Sequence, residues 1–342
     1  MPEYGVQKFL YGIGAFLALL IIIGFALPRA SRVEVSAAID AYPATVFALV
    51  NDFHRVDLWA PKTANDPNAR VVFSGPDRGV GATITWDGAI VGSGTQTITA
   101  SRPYEHVLTS INPGEPGEAQ TWFDIAPEGT GSRVTWGFAH DYGLNLVGRY
   151  FAILLAGVVR REYEIDIAAL RELAESLPRV DFSDIEVEHL VAEPQQIAYL
   201  STTSTPEPAA ISDAMGKAYF EVLAFIDEHG LAEAGAPISI TRSYVGAELR
   251  FDAGIPIRGV TDRTPAAGSK VKLGNTYGGQ VVRVTHTGSY RTLSETHRKI
   301  ASYLAALGIE RNGDAWEAYI SDPTRVDEAN LLTHIYYPVR NR

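Results

Sequence analysis

Residues 33–53 read VEVSAAIDAYPATVFALVNDF, a strand pattern followed at once by a helix pattern. Apolar residues stand at every second position from Val33 to Ile39, which is typical of a strand with one buried face. Pro43 then opens an apolar run, and proline suits the first turn of a helix because its missing N–H needs no partner there. We therefore predict a strand over residues 33–39 and a short helix over residues 44–50.

Six further strand-like segments follow, separated by turns that contain glycine, proline or asparagine. They cover residues 70–73, 82–86, 95–101, 106–111, 120–125 and 133–138. From about Leu146 to Leu177 apolar residues recur at spacings of three and four, which is typical of a helix, and Pro178 ends it. This order predicts a strongly curved antiparallel sheet that wraps one long helix and leaves an apolar hollow between them.

The pattern resembles the START-like, polyketide-cyclase-like (SRPBCC) superfamily over residues 33–177. The resemblance rests on residues 33–53, on Trp59-Ala60-Pro61, on RVTWGFAHDY at Arg133–Tyr142 and on GRYFAILLAGVV at Gly148–Val159. It implies a helix-grip domain that holds a hydrophobic small molecule, in a superfamily of which only some members are enzymes.

From residue 185 onward the chain carries a weak internal repeat of strand, helix, strand and strand. The first copy covers residues 187–201, 212–229, 238–244 and 248–251, and the second covers residues 280–287, 292–307, 316–321 and 334–339. Each helix ends in a glycine, at Gly230 and Gly308, which is consistent with a left-handed helix cap. Two such units side by side predict a sheet with two helices on one face and the other face free for a ligand.

This repeat resembles the gyrase-inhibitor-like (GyrI-like) domain, the effector-binding module of some transcriptional activators. Its motifs are TGSY at Thr287–Tyr290, WEAYISDP at Trp316–Pro323 and LTHIYYPV at Leu332–Val339. The fold class expected for the chain is α+β. The tandem of a membrane anchor, a START-like domain and a GyrI-like domain resembles an architecture found in bacteria. We predict an anchor over residues 1–31, a START-like domain over 32–178, a linker over 179–184 and a GyrI-like domain over 185–342.

Residues 9–27 read FLYGIGAFLALLIIIGFAL and contain no charge. A helix of this length rises about 30 Å, close to the thickness of a hydrocarbon core. A signal peptide is the alternative, although no A-x-A cleavage site follows Pro28. We predict a single-pass anchor in the cell membrane, with the lipid bilayer as a partner, and positive charges on both flanks leave its orientation open.

The composition argues against several classes of function. The 342 residues carry a net charge of −11, whereas a nucleic-acid binder needs a cationic surface, so nucleic acid is not an expected partner. The eight histidines are scattered and no metal-ligand spacing is present, so we predict neither a metal nor a cofactor.

Glu317, in the WEAYISDP motif, is the principal candidate for a site residue. Alternation along the strand puts Glu317 and Tyr319 on one face, and we expect the opposite, apolar face to pack beneath the helices. The resemblance places the family's ligand-contacting acid on Glu317, and a carboxylate among aromatic rings suits a cationic or electrophilic guest. An ordinary exposed strand glutamate is the alternative.

Three further tyrosines, Tyr244, Tyr290 and Tyr337, are candidates for the pocket wall, although tyrosine is also common in strands and cores. Alignment of the two copies sets Ser239 against Glu317, so only the second copy carries an acid at this position.

Other polar and aromatic residues are given structural interpretations. His297 lies on the apolar face of its helix and is interpreted as a satisfied core or rim histidine. His140 and Asp141 are neighbours on a strand, point to opposite faces and are not expected to act together. The domain's tryptophans are expected to fill core, and they are Trp59, Trp86, Trp122 and Trp136.

The preferred function is a membrane-anchored binding protein for small hydrophobic or cationic or electrophilic molecules, with Glu317 as the polar selector. One alternative is a hydrolase of electrophilic small molecules, in which Glu317 acts as the general base and a tyrosine steadies the leaving oxygen. A second alternative is a ligand-dependent regulator that acts through a partner protein, because no DNA-binding module is recognisable in the sequence.

Overall fold

The computed structural model describes residues 3–64, 66–112, 119–259 and 269–340. The chain divides into two compact units, Met1–Ser183 and Asp184–Arg342. Each unit combines one antiparallel sheet with helices, which confirms the α+β class.

The first unit contains one sheet and a long closing helix. Its elements are α1 (Glu3–Ala26), β1 (Ala30–Ile39), α2 (Pro43–Val50), α3 (Phe53–Val56), β2 (Arg70–Ser74), β3 (Thr83–Gly88), β4 (Gly92–Arg102), β5 (His106–Asn112), β6 (Ala119–Glu128), β7 (Gly131–Asp141) and α4 (Leu146–Ser176). The sheet order is β1-β7-β6-β5-β4-β3-β2, and each neighbouring pair is antiparallel. The strands, α2 and α4 match the sequence prediction, while the single turn of α3 was not predicted.

Aromatic rings fill much of the space between this sheet and α4. Trp136 stacks on Tyr163 of α4 with ring centroids 3.8 Å apart, and Phe123 stacks on Trp136 from the other side at 4.9 Å. Trp59 meets Trp136 edge to face at 5.5 Å. These rings occupy part of the space in which the sequence predicted an apolar hollow. The core role is confirmed for Trp59, Trp86 and Trp136, whereas Trp122 is buried outside the core cluster, with the Arg32 guanidinium 4.6 Å from its ring centre.

The second unit is built from a second sheet and two main helices. Its elements are β8 (Val187–Ala192), β9 (Gln196–Ser204), α5 (Pro208–Glu228), β10 (Ala232–Glu233), β11 (Ile238–Val245), β12 (Glu248–Arg258), β13 (Lys272–Asn275), β14 (Gly279–Thr287), α6 (Leu293–Leu307), β15 (Trp316–Tyr319) and β16 (Leu332–Pro338). Two short 3₁₀ turns lie at Tyr290–Thr292 and Glu328–Asn330. The strand order is β13-β9-β12-β11-β15-β16-β14-β8, with β10 paired to β12.

The strand order confirms the internal repeat. From the central β11–β15 pair, the sheet reads β11-β12-β9 in one direction and β15-β16-β14 in the other. Each copy therefore contributes three strands and one helix. Gly230 and Gly308 follow the two helices with φ of 62° and 63°, which confirms the left-handed caps. At the centre, Ser239 of β11 pairs directly with Glu317 of β15.

The segment predicted as one strand over residues 187–201 is two strands that join different halves of the sheet. β8 pairs with β14, whereas β9 pairs with β12 and β13. Residues 193–195 alone connect them, and three residues span roughly 11 Å at most. The sheet must therefore curl until its two edges approach one another.

The concave face of the curled sheet is lined by a buried apolar cluster. Its fully buried members are Ile197, Ile238, Ile240, Val281 and Trp316. The expectation of a free sheet face for the ligand is therefore wrong, because that face closes on itself around an apolar core.

Candidate functional site

Glu317 lies on the helix-bearing side of the second sheet, which reverses the faces expected for β15. Trp316 belongs to the concave apolar cluster and stacks on Tyr336 with ring centroids 4.6 Å apart. Glu317 and Tyr319 point the other way, toward α6. A carboxylate in an apolar interior would lack hydrogen-bond donors, whereas α6 presents His297 to it. The expectation that the apolar residues of β15 pack beneath the helices is wrong for this physical reason.

Both oxygens of the Glu317 carboxylate are engaged by hydrogen-bond partners. Oε1 lies 2.7 Å from Nε2 of His297, and Oε2 accepts a hydrogen bond of 2.5 Å from the Tyr319 hydroxyl. The side chains of Glu317 and His297 are 17% and 25% exposed, so the pair is largely shielded from water. A carboxylate has about four acceptor positions, and these two contacts leave room for a ligand group.

His297 connects Glu317 to Tyr337 of β16. Its Nδ1 lies 2.8 Å from the Tyr337 hydroxyl. A neutral imidazole satisfies this geometry if Tyr337 donates to Nδ1 and Nε2–H donates to Glu317. Burial raises the pKa of Tyr337 to about 12, so its hydroxyl keeps its proton at neutral pH. The three side chains thus form one continuous hydrogen-bonded chain.

Two more tyrosines lie close enough to Glu317 for its charge to affect them. Burial, and then the Glu317 charge, raise the pKa of Tyr319 well above its ordinary value. The same two causes, in the same order, raise the pKa of Tyr219 on α5, whose hydroxyl donates to the Ile238 carbonyl at 2.9 Å. Both phenols therefore remain neutral donors beside the carboxylate.

Tyr290 covers Tyr319 from the solvent side. Its ring meets the Tyr319 ring edge to face, with centroids 5.4 Å apart and planes at 75°. Tyr290 stands on the 3₁₀ turn before α6, where the Ser289 hydroxyl accepts a hydrogen bond from the Arg291 amide at 3.2 Å. This turn holds the Tyr290 ring at the edge of the site.

The structure brings together most of the predicted site residues and adds two. We call the assembled group the Glu317 cluster, and it consists of Glu317, His297, Tyr319, Tyr337, Tyr219 and Tyr290. Tyr244 lies elsewhere, 60% exposed and paired with Leu249 toward the far end of β11.

Sequence reasoning did not assign His297 or Tyr219 to the site. A signal was present, because the offset along the chain that relates Gly230 to Gly308 also relates Tyr219 to His297. The two copies of the repeat thus present a polar ring at the same helical position, one from each helix.

The first unit also contains polar residues that the sequence singled out. Asp141 pairs with Arg29 at 2.8 Å, whereas the His140 ring stacks on Tyr142. That these two neighbours do not act together stays a prediction. The Lys62 ammonium lies 4.7 Å from the centre of the Trp86 ring, and burial lowers its pKa.

The described residues bear on metal binding and on membrane crossing. Within the ranges that the structure describes, no group of three or more histidine, aspartate or glutamate side chains is arranged to hold a metal ion. One helix, Lys8–Ala26, has the length and composition to cross a membrane, with a mean hydropathy of 2.5. A signal sequence has the same properties, so this is weak evidence of an anchor.

Several solved structures are similar to parts of this chain at low sequence identity. Among solved structures, the EcmrR C-terminal domain aligns with a TM-score of 0.38 and 12% identity, covering 46% of this chain and 99% of that one. A protein of Chromobacterium violaceum aligns with a TM-score of 0.33 and 14% identity, covering 42% of this chain and 97% of that one. A hydrolase from Listeria innocua aligns with a TM-score of 0.33 and 14% identity, covering 45% of this chain and 92% of that one. No curated protein matches the chain.

Family models match the two halves in succession. Residues 30–175 match the model for polyketide cyclase / dehydrase and lipid transport, and residues 185–340 match the GyrI-like small molecule binding domain. The chain therefore carries two domains in tandem, one of the polyketide cyclase / dehydrase and lipid transport family over residues 30–175 and a GyrI-like small molecule binding domain over residues 185–340.

Proposed function

We propose that this protein is a membrane-anchored receptor for small hydrophobic molecules that carry a positive charge or an electrophilic centre. The observation that carries the proposal is the Glu317 carboxylate, largely buried between β15 and α6 and surrounded by tyrosine rings. The family match over residues 185–340 to a small-molecule-binding domain supports it.

The electrostatics of the Glu317 cluster favour a cationic guest. A carboxylate attracts a cation through its charge, and aromatic faces attract it through their quadrupoles. The raised pKa values of Tyr219, Tyr319 and Tyr337 keep these phenols neutral, so they add ring faces and no further charge. Partial exclusion of water strengthens both attractions.

Binding is better supported than hydrolysis at this site. A general base must turn a lone pair toward the water that it activates. Each Glu317 oxygen already faces a partner, at 2.7 Å and 2.5 Å, so a reacting water would share its oxygen with that partner. A cationic guest is attracted by the charge of the carboxylate and by the ring faces, and it needs no lone pair turned toward a proton.

The test of selectivity is a binding titration of the full chain with two probes of matched shape, the N-methylacridinium cation and neutral acridine at pH 8. We expect the wild type to prefer the cation, and Glu317→Gln to weaken cation binding about tenfold or more, equivalent to about 1.4 kcal/mol. Acridine binding should change little in the same variant.

Glu310→Gln is the matched control for this titration, because Glu310 is exposed and pairs with Arg340 away from the cluster. It should behave as the wild type does. Equal affinity for the two probes, or an unchanged cation affinity in Glu317→Gln, would contradict the proposal.

The anchor part of the proposal rests on the apolar composition of α1. Residues 8–26 are almost wholly exposed in the structure, as expected of a helix whose surroundings are lipid. The mass of the protein recovered from washed membranes distinguishes an anchor from a signal peptide. An anchor keeps residues 1–27 in the mature chain, whereas cleavage removes them.

A further inference from the structure

The first half of α4 carries an apolar surface that the rest of its unit leaves exposed. Val147, Phe151, Ile153 and Val158 are between 55% and 66% exposed, and Leu144, just before the helix, is 84% exposed. Soluble proteins rarely expose contiguous apolar surface of this kind without a binding partner for it. The second half of α4 differs, since Ile167, Leu170 and Ala174 pack into the core of the unit.

The exposed half of α4 begins where α4 contacts α1. The buried Arg149 side chain donates to the last carbonyl groups of α1, with Nη1 3.2–3.3 Å from the carbonyl oxygens of Gly24, Phe25 and Leu27. A positive charge at a helix C-terminus is favourable, because the unpaired carbonyl groups there carry partial negative charge. The charge of Arg149 is thereby compensated where α1 ends.

The contact sets the depth of α4 relative to α1. The Tyr150 hydroxyl donates to the Leu20 carbonyl at 2.5 Å, and Gly24 provides the close approach that Leu146 and Tyr150 require. Leu20 precedes Ala26, the last residue of α1, by six residues, about 9 Å of helix rise. If α1 spans a bilayer, the first turns of α4 therefore lie inside the hydrocarbon, deeper than the point at which α1 leaves it.

The charge pattern along α4 also changes partway along the helix. Between Tyr150 and Val159 the sequence has no charged residue, and Arg160 and Arg161 follow at once, both exposed. Arginine side chains at such a boundary reach toward lipid headgroups while their stems lie along apolar surface. Residues 146–159 rise about 21 Å, too short to span a hydrocarbon core of about 30 Å.

We propose that residues 144–159 lie in one leaflet of the lipid bilayer beside α1, so that α4 is a second membrane-contacting element. The inference rests on the proposed anchor, because α1 fixes the depth of the contact. It goes beyond that anchor, since it seats the first unit on the membrane surface through its own closing helix. An amphipathic interfacial helix binds membranes through the same kind of exposed apolar face.

The test measures where single spin labels lie in vesicles of phosphatidylcholine and phosphatidylglycerol at three to one. The chain contains no cysteine, so one cysteine introduced into the full chain labels one site. Labels at Ile153→Cys and Ile22→Cys should be more accessible to oxygen, which concentrates in lipid, than to a water-soluble nickel chelate. The matched label at Glu164→Cys, on the exposed charged half of α4, should show the opposite preference.

Each result either supports or overturns the proposed contact of residues 144–159 with the bilayer. A label at residue 153 that behaves like the label at 164, while residue 22 remains in lipid, would overturn this inference and leave the anchor intact. If residue 22 also prefers the aqueous reagent, both the anchor and the inference are wrong. If residue 153 is accessible to neither reagent, another protein surface covers it, which overturns the inference as well.

Discussion

At the scale of single residues, the candidate site depends on the hydrogen-bond donors that surround one largely buried carboxylate. An unpartnered buried charge costs several kcal/mol, so Glu317 requires donors close by. His297 and Tyr319 lie at hydrogen-bond distance from its two oxygens, and Tyr337 fixes the imidazole from behind. The arrangement makes His297 a positioning residue for Glu317, in addition to a satisfied histidine within the core.

Replacement of His297 by phenylalanine tests this coupling. The variant keeps a ring of similar size but removes both nitrogens, which leaves Glu317 and Tyr337 each short of one partner. We expect the free energy of unfolding to fall by about 1–3 kcal/mol. In the double variant with Glu317→Gln the loss should be smaller than the sum of the two single losses, because the residues share one interaction.

Urea unfolding in detergent measures this difference, and His189→Phe is the control. His189 is exposed and also lies 2.9 Å from a tyrosine hydroxyl, that of Tyr303. Its replacement should change the unfolding free energy by less than about 0.5 kcal/mol. Strictly additive losses in the His297 and Glu317 cycle would mean that the two side chains do not act together.

At the scale of elements, the sequence predicted which segments form strands and helices better than it predicted where one segment ends and the next begins. The strands of the first unit were predicted because each alternates and ends in a turn. The division between β8 and β9 was missed, although Pro194 signals it, since proline is excluded from the interior of a paired strand. The two faces of β15 were separated correctly, but alternation cannot tell which face meets the helices.

The face of β15 that meets the helices was assigned wrongly because the second sheet closes on itself. A strand covered on one side only would turn its apolar residues to the helices, which was the assumption made for Trp316. Because the sheet curls, both faces of β15 are covered, and the apolar ring of Trp316 lies on the closed concave side. His297 and Tyr219 could be paired only once the repeat was aligned helix to helix, so the sequence predicted Glu317 and Tyr319 but not His297.

Helix α4 carries a pH-dependent element in its second half. Glu162 and Asp166 are four residues apart, so they are neighbours on one helix face and repel each other. Burial, and then Glu162, raise the pKa of Asp166 to about 6 from an ordinary value of 3.8. The folded state therefore holds this proton more tightly than the unfolded state, and this group makes stability fall as pH rises from about 4 to about 6.

Asp166→Asn should remove this dependence. Above pH 6 the variant should be more stable than the wild type by on the order of 1 kcal/mol, after discounting for solvent screening of a half-exposed group. At pH 3.5 the two proteins should differ little, because Asp166 is then protonated in both states. Thermal unfolding across this pH range provides the measurement, with Glu172→Gln on the same helix as the control. A variant that parallels the wild type at every pH would refute the assignment.

At the scale of the whole molecule, each of the two units has a buried apolar core of its own. Leu170 on α4 is fully buried in the core of the first unit, and Ile335 on β16 is fully buried beneath α6 in the second. The Glu317 cluster draws all its residues from the second unit. The selectivity of the cluster should therefore depend on one core and be insensitive to the other.

Matched truncations of the two cores test this independence. Leu170→Ala and Ile335→Ala should each lower the unfolding free energy of one unit by about 2–5 kcal/mol, the usual cost of a large-to-small change in a core. Calorimetry should show a different transition shifted in each variant. Binding of the N-methylacridinium cation should weaken only in Ile335→Ala, because Ile335 pairs with Glu317 across β15 and β16. A loss of cation binding in Leu170→Ala, with the second transition unchanged, would mean that the first unit contributes to recognition.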